Sequence, residues 1–147
     1  MRCSVALAAV ICAVALSSAS QAVKGADPSC LEYGPAVVTL SGTVTRHFYY
    51  GPPNYGEDPA TDTKEIHWFL NLDEPICVNG KDEDSPEMEG ETGVRRLQIV
   101  HLNGYPGSRG LMGHRVSITG TLFHAATAHH HTEVLIVADK TTKLPRP

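Results

Sequence analysis

Four histidines fall within eight residues of this 147-residue chain: His124, then His129, His130 and His131 after the spacer Ala-Ala-Thr-Ala. Imidazole donates and accepts hydrogen bonds, carries a proton near neutral pH, and ligates Zn²⁺, Cu²⁺ or Ni²⁺. Three readings of the cluster follow. In the first, His124, His129 and His131 supply three ligands to a metal, Zn or Cu. Neighbouring side chains on extended backbone point in opposite directions, so His129 and His131 share a side that His130 does not. In the second, all four histidines face an organic or protein ligand. In the third, His124 and one member of the triplet order the loop through backbone hydrogen bonds, and the others face water.

Catalysis needs more than reactive residue types. A histidine beside Glu133 or Asp58 could serve as an acid–base pair. Yet the chain has no Gly-x-Ser-x-Gly elbow, zincin helix, P-loop or dinucleotide fingerprint, and nothing marks a nucleophile. A binding module is therefore expected ahead of an enzyme, with no residue assigned a catalytic role. The acidic stretch 79–93 lacks the glycine and ligand spacing of an EF-hand loop and reads as a solvated connection.

The histidines lie between two strands. Val116, Ile118, Gly120 and Leu122 alternate with Ser117, Thr119, Thr121 and Phe123, the period of a half-buried strand, and the apolar run Val134–Ala138 follows the loop. The same pattern opens a long strand, Ala36–Tyr50. There Val38-Thr39-Leu40-Ser41-Gly42-Thr43-Val44 matches residues 116–122 in class at every position. A glycine inside each copy suggests a sharp bend of the kind found at barrel corners. Further strands are expected over Glu65–Asp73, with Ile66, Trp68, Leu70 and Leu72 inward and His67, Phe69 and Asn71 outward, and over Val94–Leu102. The glycine-rich stretch 103–113 has room for at most one helical turn, around Arg109–Met112. The tail from Thr141 is polar and expected to fray.

The N-terminus sets the compartment. Arg2, the apolar run Val5–Leu16 and the small residues at 17–22 form the pattern of a secretory signal peptide, cut after Ala22 or Ala19. A secreted or periplasmic bacterial protein is expected, with a polar lead over residues 23–35 and one domain over 36–140. Cleavage removes Cys3 and Cys12. Cys30 and Cys77 then stand as one disulfide, two free thiols being the alternative. The formal charge of −4 becomes −5 when Arg2 leaves, and no basic stripe suits nucleic acid. No later stretch is apolar for long enough to span a membrane.

The order long strand, strand, strand, broken helical segment, strand, strand is that of an all-β, small five-stranded OB-like Greek-key barrel. In such a barrel the loops after the first and fourth strands flank one ligand face. Tyr50, Pro53, Asn54 and Tyr55 of the loop Gly51–Lys64 would then stand beside His124, His129, His130 and His131. The tyrosines suit stacking on a ring or sugar. The partner class is a small molecule, a glycan or an envelope protein.

The chain also resembles the bacterial secreted proteins grouped as domain of unknown function 4431. The resemblance is carried by Cys30-Leu31-Glu32-Tyr33, Gly51-Pro52-Pro53-Asn54-Tyr55, Trp68-Phe69-Leu70, Pro75-Ile76-Cys77-Val78, and Gly120-Thr121-Leu122-Phe123-His124-Ala125 with His129-His130-His131-Thr132. It covers residues 30 to 137 and implies a compact exported β-domain, with no established reaction or ligand. Two departures stand out: a glycine-rich stretch, 104–113, replaces the helix expected before the fourth strand, and Ala128 replaces glycine before the triplet.

Overall fold

The computed structural model of the chain describes residues 27, 29–80, 89–100 and 108–145. The expected leader, residues 1–22, and acidic residues 81–88 lie outside that set. Among the described residues there are six strands: β1 (Leu31–Glu32), β2 (Val37–Tyr50), β3 (Lys64–Asn79), β4 (Glu91–Val100), β5 (Arg115–His124) and β6 (Val134–Lys143). One 3-10 turn, Ser108–Leu111, precedes β5. Strand β2 pairs antiparallel with both β3 and β5, β3 with β4, and β5 with β6, while β4 runs parallel to β6. Five strands thereby close in the order β2-β3-β4-β6-β5. The fold is the expected all-β OB-like barrel. The sixth strand, β1, was not foreseen; it lies parallel to the end of β3.

The alternation in β2 and β5 faces the way the sequence indicates. Leu40, Val44, Val116, Ile118 and Leu122 are buried together with Leu70, Val78, Leu97, Ile99, Val134, Ile136 and the ring of Tyr33. The two seven-residue copies pair with one another. Leu40 lies opposite Ile118, Val38 opposite Gly120 and Gly42 opposite Val116, which puts a local two-fold axis between Leu40 and Ile118. On the outer side of this ribbon the Thr39 and Thr119 hydroxyls are 2.9 Å apart. Both glycines are needed for close approach. A Cβ on Gly42 would collide with the backbone carbonyl of Asn71 in β3, and one on Gly120 with that of Val137 in β6.

Several expectations need correction. Strand β3 does not end at Asp73 but continues through Pro75 to Asn79; register shifts between Asn71 and Ile76 accommodate the missing proline N–H. Strand β6 continues past Ala138 to Lys143, so residues 141–143 are strand rather than frayed tail. Ile66, assigned inward, is 55% exposed, and Phe69, assigned outward to water, is fully buried, although each lies on the side of the sheet expected of it. The physical reason is that the inner side of the β2–β3 hairpin lacks a facing wall at Phe48 and Ile66, while its outer side is covered. Trp68, expected inward, is partly buried and packs against the core.

The pairing of Leu31 with Val78 brings the preceding cysteine of each strand together. Cys30 and Cys77 form a disulfide with their Cα atoms 4.8 Å apart, closing a sequence separation of 47. Loop-closure entropy of that length stabilises the fold by about 4 kcal/mol in the chain-entropy treatment.

Candidate functional site

The loop between β2 and β3 is held from within. Gly51 N–H donates to the Thr63 carbonyl at 2.9 Å, and Thr63 N–H returns to that of Pro52 at 2.9 Å. The Asp62 carboxylate, 8% exposed, accepts from the backbone N–H groups of Asn54 and Gly56, each at 2.7 Å. These bonds hold Tyr55 in a left-handed conformation at φ 52°, with the residue 47% exposed. The loop between β5 and β6 is closed at its base by Ala125 N–H donating to the Glu133 carbonyl at 2.8 Å. His130 caps that loop: its Nδ1 accepts from Ala126 N–H at 2.9 Å and from Thr127 N–H at 3.3 Å.

The two loops meet. The Tyr55 ring stands edge-on to His129 with centroids 5.8 Å apart. Behind this contact, on the outer face of β2, β3 and β4, lies a cluster set by register. Tyr49 is directly opposite Glu65 and His47 opposite His67, so these four side chains share one face. His131 stacks on Tyr49 at 3.6 Å with an interplanar angle of 5°, and His67 meets His131 edge-on at 4.7 Å. Phe69 is the floor; Arg96 lies over its ring, 4.4 Å from the centroid.

Gln98, only 3% exposed, ties the histidine loop to the barrel. Its Oε1 accepts from His131 N–H at 2.7 Å, which identifies the other terminal atom as the NH₂. That group donates to the His129 carbonyl at 2.9 Å and to His67 Nδ1 at 3.0 Å. His67 Nδ1 is therefore an acceptor, and the ring proton sits on Nε2, which donates to Glu65 Oε2 at 3.1 Å. His129 Nδ1 donates to the same oxygen at 2.9 Å. One carboxylate thus orients two imidazoles. The bond from His129 is the main cause holding Glu65 below the usual carboxylate range, although burial opposes it. Burial, reinforced by neighbouring histidines, holds His130 and His131 below the ordinary imidazole range.

The anticipated residues separate into groups. Tyr55, His129 and His131 border the shared cluster. His130 is occupied with backbone, as the structural reading of the loop allowed, and packs edge-on against Phe123. Asn54 also has a structural part, its side-chain amide donating to Thr61 Oγ1 at 3.1 Å. Pro53 is exposed beside it. Tyr50 points to the opposite side of the hairpin from Tyr49 and packs edge-on against Phe48 at 4.9 Å. His124 does not join His129 and His131 around a common point; its Nε2 faces Glu91 at 3.3 Å and Glu133 at 3.9 Å. The proposed His124–His129–His131 metal set is thus not assembled among the described residues. His124 ends β5, whereas the other two lie beyond the loop's turn and reach towards β2 and β3.

Sequence reasoning missed Tyr49, Glu65, His67 and Gln98. Their signal was present as a polar and aromatic mixture on the face assigned to solvent. What linked them was cross-strand register, which periodicity does not reveal.

Residues 96–141 match the family described as Domain of unknown function (DUF4431). The match covers 46 of the 147 residues. The DUF4431 segment contains most of β4, the β5–β6 hairpin, Gln98 and the complete histidine loop. Tyr49, Tyr55, Glu65, His67 and Glu91 precede it, so the resemblance read over residues 30–137 is shown from residue 96 onward. No curated protein matches the chain.

Proposed function

We propose that this chain is an exported binding domain that takes a ring-bearing polar ligand, of the sugar class, on the outer face of β2–β4. The contact between Tyr55 and His129 carries the reading. It joins two loops that flank the ligand face of OB-like barrels and leaves an aromatic surface beside an oriented imidazole. The Nδ1 bond to Glu65 leaves His129 Nε2 available to hydrogen-bond a hydroxyl, and the side chain is 44% exposed. Export is supported by the leader pattern and is compatible with the Cys30–Cys77 disulfide. Among the described residues no helix is long and apolar enough to cross a membrane.

A glycan array probed with wild type, Tyr55→Ala and His129→Ala tests the site. Binding to a defined subset of sugars, weakened at least tenfold by either substitution, is expected. Absence of wild-type binding, or equal binding by both variants, overturns the sugar reading. N-terminal sequencing of the protein recovered outside the cytoplasm should begin at Val23 or Ser20; an intact Met1 there overturns leader cleavage.

A further inference from the structure

A second cluster lies at the base of the histidine loop. The end of β5 supplies His124, the start of β4 supplies Glu91, and the residue before β6 supplies Glu133. One ligand atom from each falls within 4.8 Å of the others. We propose that Glu91, His124 and Glu133 form a binding site for a divalent transition metal ion of the Zn²⁺ type.

Three observations support it. His124 Nδ1 lies 3.1 Å from the Ala125 carbonyl, which can only accept, so Nδ1 carries a proton. In the neutral ring Nε2 then presents its lone pair to two carboxylates, the arrangement that orients a histidine towards a metal. The separations also leave room for an ion. A charge-assisted N–H···O bond is about 2.7–2.9 Å long, and His129 to Glu65 in this chain is 2.9 Å. Glu91 stands off at 3.3 Å and Glu133 at 3.9 Å. Donors bound to one zinc at about 2.0–2.1 Å in tetrahedral geometry lie roughly 3.3–3.4 Å apart. Glu91 already meets that spacing, and the Glu133 side chain, 72% exposed, is free to close the remainder.

The surroundings fit as well. The His124 side chain is 11% exposed and lies edge-on to the buried ring of Tyr33 at 6.2 Å. One nitrogen and two carboxylates suit Zn²⁺ with a remaining position for water, and supply too few oxygens for Ca²⁺. The ion would tie the base of the histidine loop to β4, independently of the proposed sugar face.

Titration of the untagged protein with ZnCl₂, read by calorimetry and by competition with a chromophoric chelator, tests the site. One zinc per chain is expected, with affinity falling at least tenfold in Glu91→Gln and in Glu133→Gln and unchanged in His129→Ala. Circular dichroism establishes that each variant is folded. Co²⁺ should give visible bands of a four-coordinate site without thiolate charge transfer. Absence of zinc binding at micromolar free metal overturns the proposal. Wild-type affinity in either glutamine variant, or its loss in His129→Ala, overturns it equally.

Discussion

Tyr49 and His131 lie face to face, 3.6 Å between centroids and 5° from parallel. The imidazole serves here as a flat ring, since its buried Nε2 has no hydrogen-bond partner among the described residues. His131→Phe keeps the stack and removes an unsatisfied polar atom, so its stability should stay within about 1 kcal/mol of wild type or exceed it. His131→Ala should lose about 2 kcal/mol or more. Urea unfolding distinguishes the two outcomes.

Gln98→Leu fills the same space but leaves the His131 N–H and the His129 carbonyl without their side-chain partner. A loss of about 2–4 kcal/mol is expected. Amide exchange should accelerate in residues 129–132 more than in β2, which a uniform loss of stability would not produce.

Gly42→Ala and Gly120→Ala each press a methyl group into the backbone of a neighbouring strand, which cannot yield as a flexible side chain can. Each should cost about 3 kcal/mol. Gly93→Ala meets nothing nearby, but its φ of 66° strains it, so the loss there should be smaller, about 1 kcal/mol. Thermal melts of the three variants test the ranking.

Acid should act in two stages. His130 and His131 resist protonation in the fold, so the unfolded chain binds protons near 6.5 that the folded chain does not. Stability is therefore present above that pH and declines as pH falls below it. Glu65, lowered from 4.5, adds stability present above its unfolded value and lost as pH falls through its lower folded value. Tm should decline between about pH 7.5 and 5.5 and again below about pH 4.5. A flat first interval contradicts the histidine assignment.

The barrel was legible because its inner face is written in period two: Leu40, Val44, Ile118 and Leu122 alternate with small polar residues, and the interior glycines mark where strands must approach. The outer cluster was less so. Phe69 and His67 read as solvent-facing because alternation assumes that one side of a strand is wet, whereas the histidine loop covers that side of β3. His124 was grouped with the triplet by closeness in sequence, yet strand β4, distant in sequence, determines its neighbours. That the loops of Tyr55 and His129 lie side by side was expected from the strand order of the barrel; the contact itself depends on the bonds that hold each loop.

The pairing of the repeated segment with its own counterpart also governs how the cylinder is sized. Gly42 admits the strand on one flank of that ribbon and Gly120 admits the strand on the other. The girth of the molecule is accordingly specified twice, by one short phrase read in both directions, and a change in either reading leaves the opposite flank to carry the misfit.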